Sequence, residues 1–518
     1  MKIGRHSIYV EDCLLGLRRL DSESVSAIVT DPPYGLGKPP EVEAMLRAWL
    51  DGGVYQPGGT GFMGEEWDSF VPPPEVFREL LRISKPGAHA LVFAGSRTFD
   101  LMALSMRIAG WEIRDGISYL YGSGFPKSTD LSKQIDRLHG AEREVIGQKG
   151  GRYEHAAPGT TANPMGQIEG GGGDWAKAGQ ITAPATEDAL RFEGWGSALK
   201  PGWEPIIMAR KPLAGTLASN ALAHGCGGLN IDGCRVEHAS AEDPAAHQSG
   251  VAATKAKGGT RKGSWCNPND LSGASDVSTR GRWPANVILQ HLDGCRCDGI
   301  KKVRTQWGQP TETGNPKNRS VYNGGWRAED KPVGYADADG KESIANWICE
   351  PGCPVAGLDE QSGVSGSNWS ANKGKGVGYG STARSDRGSA GHADSGGASR
   401  FFYCAKPSRA EREAGCESLP ESESGRRNIH PTVKPLALLR HLVRLVCPPD
   451  GVVCDPFSGS GSTLIAAERE GIASIGFERE SKYAEIASHR LRHWIRLSAM
   501  ERLQARTSRP RPPTRSRK

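Results

Sequence analysis

Ser26-Ala-Ile-Val-Thr30 runs directly into Asp31-Pro32-Pro33-Tyr34-Gly35, and this junction decides the predicted fold. The first stretch predicts a buried strand, and the two prolines end it because neither can donate a hydrogen bond to a sheet ladder. In an open α/β sheet, ligands bind at the carboxyl ends of the strands. We therefore expect Asp31, the carbonyl groups of Pro32 and Pro33, and the ring of Tyr34 to face a cleft.

This set of groups suits an exocyclic amine on a flat ring. The amine of adenine or cytosine is a poor nucleophile because its lone pair is delocalised into the ring. A carboxylate and a carbonyl that accept its N–H bonds return electron density to the nitrogen, while Tyr34 stacks on the base. The motif alone also fits an ordinary turn, so the rest of the chain must support the catalytic interpretation.

The composition limits the class of protein. A chain of 518 residues is too long for one core, and its 68 glycines and 34 prolines indicate long loops. Neither an 18-residue apolar run nor an N-terminal signal segment is present in the sequence, so we expect a soluble cytoplasmic protein of a bacterial or phage-infected cell, without membrane contact. The 12 cysteines are then expected to be thiols or metal ligands rather than disulfides.

The positive charge is concentrated at the C-terminus. The chain has a net charge of +6, and the segment 502–518 alone holds six arginines and one lysine without an acid. We expect residues 501–518 to form a disordered basic tail, which either attracts phosphates without sequence preference or is merely solvated.

Strands and helices alternate at both ends of the chain. This alternation predicts an α/β, Rossmann-like sheet built from both chain ends. Strands are predicted at 7–10, 26–30, 88–94, 111–121, 451–454 and 472–477, and an edge strand broken by proline near 204–209. Helices are predicted at 74–84, 99–109, 436–445, 464–469 and 483–497.

The middle of the chain is different in texture. From about 213 to 400 the periodicity is poor, glycine is dense, and Trp265, Trp283, Trp307 and Trp326 are scattered among basic residues. Such a loop-rich insertion fits a surface that recognises nucleic acid, and it equally fits an irregular insertion with packing tryptophans.

A second motif follows the strand at 451–454. Asp455-Pro-Phe457-Ser-Gly459-Ser-Gly461 leads into a helix and a further strand that ends on Glu478. A strand, a glycine-rich loop, a helix, a strand and an acid are typical of a nucleoside-cofactor site, in which the acid binds the ribose hydroxyls. The loop lacks the Gly-Lys-Ser/Thr ending of a phosphate-binding loop, and a dinucleotide site is the alternative.

Together these motifs resemble the S-adenosylmethionine-dependent DNA amino-methyltransferases. Asp31-Pro-Pro-Tyr34 is similar to their catalytic motif, and Phe457, Gly459 and Gly461 to their cofactor motif. The order of the two motifs resembles the circularly permuted β-type arrangement. Further similarity lies in His430-Pro-Thr432-Val-Lys434-Pro435 and Phe401-Phe-Tyr-Cys-Ala-Lys406, and other segments are similar to phage and prophage members.

The resemblance implies roles for individual residues. The glycine loop would hold the methionine part of S-adenosylmethionine, Glu478 its ribose, and Asp12 would lie near its adenine. Thr432 and Lys434 would lie near the cofactor carboxylate, and the catalytic motif would hold a base flipped out of double-stranded DNA. The implied cofactor-binding set is Asp12, Thr432, Lys434, Asp455, Phe457, Gly459, Gly461 and Glu478.

Asp at the first position of the catalytic motif is usual for adenine-N6 enzymes of this family, and cytosine-N4 methylation is the alternative. Cytosine-C5 chemistry is disfavoured because it needs a thiolate, typically in a Pro-Cys pair, which this sequence lacks. A non-catalytic DNA-binding protein and an RNA methyltransferase are further alternatives. The recognition sequence, a partner restriction nuclease and the oligomeric state are not predicted.

One cluster of metal-ligand residues lies inside the insertion. His291 and Cys295 are four residues apart, as are Cys349 and Cys353, and a loop separates the two pairs. Two ligand pairs joined by a loop are typical of a structural zinc site, with Cys297 as a substitute ligand. The alternative is a group of unrelated thiols.

The predicted organisation therefore has four parts. Residues 1–212 and 401–500 form the two halves of the catalytic domain, with a mobile loop at 150–194. Residues 213–400 form the target-recognition insertion, and residues 501–518 form the tail.

Overall fold

A computed structural model describes most of the chain. The described residues are 1–36, 39–55, 68–122, 128–148, 180–236, 283–292, 294–304, 341–363, 365–366, 395–396, 398–405, 409–422 and 425–507. Three of the four tryptophans singled out in the insertion, Trp265, Trp307 and Trp326, lie outside them, as does the tail beyond Thr507.

The strands are numbered in chain order. They are β1 (Lys2–Ile3), β2 (His6–Val10), β3 (Val25–Thr30), β4 (Ser84–Phe93), β5 (Glu112–Leu120), β6 (Val145–Gln148), β7 (Gln180–Thr182), β8 (Trp203–Arg210), β9 (Val287–Gln290), β10 (Arg296–Arg304), β11 (Lys341–Ile348), β12 (Ser365–Gly366), β13 (Ser395–Gly396), β14 (Tyr403–Ala405), β15 (Val452–Asp455) and β16 (Ala473–Glu478).

The α-helices are numbered in the same way. They are α1 (Cys13–Leu17), α2 (Val42–Leu50), α3 (Pro74–Ile83), α4 (Phe99–Ile108), α5 (Leu131–Leu138), α6 (Glu187–Arg191), α7 (Leu217–His224), α8 (Pro354–Ser362), α9 (Arg409–Glu413), α10 (Leu436–Val446), α11 (Ser462–Arg469) and α12 (Ser481–Thr507). None of these helices is long and apolar enough to cross a membrane.

The chain divides into two compact units. Unit 1 comprises residues 1–230 and 407–518, and unit 2 comprises residues 231–406. Residues 213–230 belong to unit 1 because the buried side chain of Asn220, on α7, donates to the carbonyl oxygens of Pro86 and Cys226 at 3.0 and 2.8 Å. Residues 403–405 belong to unit 2, where β14 pairs in parallel with β9.

The sheet of unit 1 has the strand order β1-β2-β16-β15-β3-β4-β8-β5. The strands β2, β16, β15, β3 and β4 run parallel to one another, whereas β8 is antiparallel to both of its neighbours. Two strands from the C-terminal part of the chain therefore lie between β2 and β3 from the N-terminal part. This order confirms the predicted α/β sheet built from both chain ends.

Apolar residues cover both faces of this sheet. On β2, Ile8 packs with Leu436 and Leu464, whereas the next residue, Tyr9, stacks on Phe477 with ring centroids 5.1 Å apart. Successive strand residues point to opposite faces, so each face has its own core. Because both faces are covered, a ligand can bind this sheet at the ends of its strands, as in other parallel sheets.

Three local predictions differ from the structure. The strand near 204–209 is β8, an interior strand between β4 and β5 rather than an edge strand. Its proline, Pro205, is the third residue of the strand, and the Pro205 carbonyl accepts from the Ala94 amide. The closing helix extends to Thr507, and residues 180–194 of the segment predicted to be mobile hold β7 and α6.

Candidate active site

Four carboxylates lie at the carboxyl ends of neighbouring parallel strands. Asp12 follows β2, Asp31 follows β3, Asp455 ends β15 and Glu478 ends β16. All four line one cavity in unit 1, as neighbouring parallel strands require. The cavity is also lined by Pro33, His430, Thr432, Lys434, Phe457, Ser458, Gly459 and Tyr483.

The catalytic motif forms a compact polar network. The Tyr34 hydroxyl donates to Oδ1 of Asp31 at 2.7 Å, and Nζ of Lys434 lies 3.1 Å from Oδ2. The same ammonium donates to the Tyr34 hydroxyl at 3.0 Å and lies 2.9 Å from a carboxylate oxygen of Glu204. One cation thus serves two carboxylates and a phenol.

The charges of this network follow from its burial. Burial lowers the pKa of Lys434, but the carboxylates of Asp31 and Glu204 outweigh it and hold that pKa above its ordinary value. Burial, together with the same carboxylates, raises the pKa of Tyr34. At neutral pH, Lys434 is therefore a cation and Tyr34 a neutral hydrogen-bond donor.

Side chains from other segments fix the backbone of the motif at Asp31–Gly35. The buried carboxylate of Asp68 accepts from the amides of Tyr34 and Gly35 at 2.7 and 3.2 Å, and Oγ1 of Thr98 donates to the Tyr34 carbonyl at 2.5 Å. Gly35 has φ +65°, and a Cβ there would lie 2.8 Å from the Val71 amide. The loop that carries Asp31 is therefore held in one conformation that needs glycine.

Asp455 anchors the glycine-rich loop. It is 3% exposed and accepts from Oγ1 of Thr30 at 2.6 Å and from the Phe457 amide at 3.1 Å. Burial raises the pKa of Asp455 to about 6, although hydrogen bonds from Thr30, Thr463 and Phe457 act in the opposite direction. Its contacts join β3 to the start of the loop.

The loop continues to Glu478 and His430. The Gly459 and Glu480 amides each donate to a different oxygen of Glu478, both at 2.8 Å, and burial raises the pKa of this carboxyl. Gly459 has φ +48°, and a Cβ there would lie 2.5 Å from Nε2 of His430. Gly461 instead caps α11, and a Cβ there would lie 2.9 Å from Cβ of Ala487. Only one of the two glycines thus lies on the cavity.

The segment from His430 to Lys434 brings side chains from a distant part of the sequence. Nδ1 of His430 lies 2.7 Å from the Thr432 carbonyl, and its ring meets Tyr483 edge-on at 4.6 Å. Burial lowers the pKa of His430 to about 4, so the imidazole is neutral at pH 7. Thr432 and Lys434 both line the cavity, and Lys434 points its ammonium at the catalytic motif.

Three predicted site residues differ in how they relate to the cavity. Asp12 caps α1, accepting from the Leu14 amide at 2.9 Å, while also lining the cavity. Pro32 and Tyr34 are not among the described residues that line the cavity, although Tyr34 touches it through its bond to Asp31.

The sequence reasoning missed Glu204 and Asp68. Glu204 precedes Pro205 in the segment predicted as an edge strand and belongs to none of the recognised motifs. Asp68 also lies in none of the recognised motifs. The signal available for Glu204 was its position beside a proline inside an otherwise apolar strand, a place where a charged residue needs a partner.

The predicted metal ligands lie together in unit 2. One ligand atom each from His291, Cys295, Cys349 and Cys353 lies within 4.8 Å of all the others. Cys297 is exposed and its sulfur lies 3.5 Å from the Gly299 carbonyl, outside this group.

Comparison with known proteins finds a family model that matches part of the chain. Residues 236–489, just under half of the chain, match N6_N4_Mtase, described as DNA methylase. Over 65 residues the chain is 40% identical to the type II methyltransferase M.ScaI of Streptomyces caespitosus. This aligned stretch covers 12% of this chain and 21% of the relative. Over 68 residues it is 43% identical to YubD of Escherichia coli strain K12, whose assigned name is that of a methylase, covering 13% and 30% of the two chains.

Similarity to solved structures extends over most of the chain, but the sequence identity and the TM-scores are low. PvuII DNA methyltransferase (cytosine-N4-specific) aligns over 94% of this chain and 86% of its own, with 11% identity and a TM-score of 0.35. The chain spans less than a third of the length of each of these two curated relatives. The family match agrees, over residues 236–489, with the family that the motifs resemble.

Proposed function

We propose that this protein transfers a methyl group from S-adenosylmethionine to the N6 amine of adenine in double-stranded DNA. The observation that carries the proposal is the network at the end of β3. There, the Asp31 carboxylate is held by Tyr34 and Lys434 and faces the cavity that also contains the glycine loop and Glu478.

The donor set of the cavity suits the cofactor. Carboxylates at the ends of β2 and β16, Asp12 and Glu478, match the hydroxyl and amine groups of a nucleoside. Phe457 and Tyr483 supply apolar surface, and Thr432 and Gly459 polar groups near the loop. S-adenosylmethionine, when bound, supplies an electrophilic methyl group on its sulfonium.

Asp31 acts on the amine. Each of its oxygens has one protein donor at hydrogen-bond distance, and a carboxylate has about four lone-pair sites, so acceptor capacity remains for an amine N–H. The Pro32 carbonyl accepts the second N–H. These bonds aim the nitrogen lone pair into the cavity, and the Asp31 carboxylate is placed to receive the proton that the methylated nitrogen loses.

The target base must leave the duplex to reach this network. The amine lies within the base stack of DNA, so the nucleotide is flipped into the site, where the Tyr34 ring supplies a stacking surface. We assign recognition of the DNA sequence to unit 2, the insertion between the two catalytic segments 1–230 and 407–518.

The choice of adenine rests on Asp31 itself, since the resemblance links Asp at this position to adenine-N6 enzymes. Cytosine-N4 methylation uses the same acceptors and is the alternative outcome. The test is methylation of unmodified plasmid DNA by the purified chain with S-adenosylmethionine, followed by digestion to nucleosides and mass spectrometry. We expect N6-methyladenine, whereas N4-methylcytosine would replace adenine as the target.

The matched control is the same reaction with RNA in place of DNA. Methylated RNA beside unmodified DNA would refute the duplex-DNA substrate. If neither is modified although the protein binds S-adenosylmethionine, the proposed transfer reaction is wrong for this chain.

A further inference from the structure

The His/Cys cluster of unit 2 converges on a single point. It consists of His291, after β9, Cys295, before β10, Cys349, after β11, and Cys353, before α8. Although these residues span 291 to 353 in the sequence, their ligand atoms all lie within 4.8 Å of one another. Chain segments this far apart place four potential ligands together only when the fold is arranged to do so.

The distances match the edges of a metal tetrahedron. Nδ1 of His291 lies 3.6 Å from the sulfur of Cys349 and 3.5 Å from that of Cys353. A tetrahedral zinc ion with Zn–S of about 2.3 Å and Zn–N of about 2.0 Å places its nitrogen and sulfur ligands roughly 3.5 Å apart. The two observed separations therefore leave room for the ion at the centre.

The surroundings hold the ligands in position. The imidazole of His291 stacks on Trp347, with ring centroids 4.0 Å apart, which fixes the plane of the imidazole. The Glu350 amide donates to the sulfur of Cys295 at 3.3 Å, a contact typical of thiolates bound to a metal. His291, Cys295 and Cys353 are at most 2% exposed, and Cys349 is half-buried.

We propose that these four residues bind a structural zinc ion. One nitrogen and three sulfurs form the ligand set of Cys₃His sites, and soft thiolates favour zinc over magnesium or calcium. All four positions are filled by protein, so the ion has no open site for catalysis. It joins the end of β9, the start of β10, the end of β11 and the start of α8.

The ion compensates for a small core. The described apolar cluster around the site has four buried members, Leu289, Cys295, Cys353 and Val355, and two of them are proposed ligands. Because metal binding contributes directly to the free energy of folding, the centre stabilises a segment with little apolar burial of its own.

Cys297 supplies a matched control. It lies two residues from Cys295 and is exposed, and its sulfur faces the Gly299 carbonyl rather than the cluster. A general effect of removing a thiol from this region will appear in Cys297→Ser, whereas loss of the ion will not.

The experiment is metal analysis of the full chain purified without added metal or chelator. We expect about one zinc ion per chain, as in other closed Cys₃His sites, in the wild type and in Cys297→Ser, and at least a five-fold loss in Cys349→Ser. Absence of stoichiometric zinc from the wild type, or equal loss in Cys297→Ser and Cys349→Ser, would overturn the proposal.

A second measurement covers the case in which Cys349→Ser does not fold. Wild-type chain produced with cobalt should show the absorption bands of a tetrahedral, thiolate-bound Co²⁺ ion, and an octahedral spectrum would exclude this site. Both readouts are independent of methyl transfer, so the zinc centre and the proposed enzymatic function succeed or fail separately.

Discussion

Asp31 and Asp455 follow the same pattern in neighbouring strands and have opposite surroundings. Each stands at the carboxyl end of a parallel strand and precedes a proline, and the two strands, β3 and β15, are hydrogen-bonded to each other. Asp31 contacts the Lys434 ammonium and has a side chain that is 21% exposed, whereas Asp455 accepts from uncharged donors and is 3% exposed.

The different surroundings of Asp31 and Asp455 show that the strand end provides only a place for a carboxylate. What the carboxylate does depends on residues contributed by other segments. Lys434 lies about four hundred positions from Asp31 in the sequence and supplies the charge and the hydrogen bond that orient it. Asp455 instead has Thr30 and the Phe457 amide, which tie the loop to the sheet.

The largest expected effect is that of Asp31→Asn. The amide keeps the shape of the side chain but replaces an acceptor oxygen with a donor, so the amine is no longer held by two acceptors. We expect kcat to fall roughly 10³-fold, a typical loss for a positioned carboxylate, with an unchanged Kd for S-adenosylmethionine. Single-turnover kinetics and calorimetry measure the two quantities. Equal loss of cofactor binding would mean that Asp31 belongs to the cofactor site instead.

Lys434→Met should have the next largest effect. The variant keeps the length of the side chain but leaves Asp31 and Glu204 in a buried site without their shared cation. We expect kcat to fall about 10²-fold, since electrostatic contacts in such sites typically contribute this much.

The double variant Lys434→Met/Glu204→Gln sharpens this test. It removes one of the two uncompensated carboxylates, so kcat should recover several-fold relative to Lys434→Met alone. A double variant that is less active than Lys434→Met would contradict the idea that Lys434 balances both charges.

Asp455→Asn tests the role of the buried carboxyl at the end of β15 through the pH dependence of the free energy of unfolding. A carboxyl whose pKa is raised from 3.8 to about 6 on folding makes the native state less stable as pH rises across that interval. Asparagine accepts the same hydrogen bonds without a charge. Relative to the wild type, the variant should therefore gain on the order of 2–3 kcal/mol between pH 4 and pH 7.

Denaturant unfolding of wild type and Asp455→Asn at both pH values measures this gain. Asp31→Asn, measured in the same way, serves as the matched control at the neighbouring strand end. A wild-type advantage that grows with pH would show that Asp455 is ionised and stabilising in the folded protein.

The smallest expected effect is that of Tyr34→Phe. This variant removes the hydroxyl that donates to Asp31 at 2.7 Å but keeps the ring that is proposed to stack on the base. We expect kcat to fall about five-fold, as for loss of a single hydrogen bond of about 1 kcal/mol. Tyr34→Ala should be much worse, and equal kinetics for the two variants would remove the stacking role.

Much of this site can be predicted from local sequence. A strand that ends in Asp-Pro-Pro-Tyr, and a glycine loop placed between strands that end in Asp455 and Glu478, specify a cavity because parallel strands align their carboxyl ends. Local patterns do not predict partners that arrive through tertiary structure. Glu204 was missed for this reason, because its role depends on β8 lying beside β4.

The proposed zinc ligands show a related limit of prediction from sequence. The spacing of His291, Cys295, Cys349 and Cys353 predicted a group of four, and in the structure these residues lie together. The same spacing argument predicted Cys297 as a substitute ligand. In the structure the Cys297 sulfur, on the second residue of β10, lies 3.5 Å from the Gly299 carbonyl and outside the group.

The most direct test of the central claim is single-molecule modification sequencing of DNA from cells that express the wild-type chain or Asp31→Asn. We expect a methylated adenine in one short sequence motif in the wild-type cells, and no mark in cells with an equal amount of the variant. The same mark in both would show that Asp31 is not required for methyl transfer and would refute the proposed role of this carboxylate.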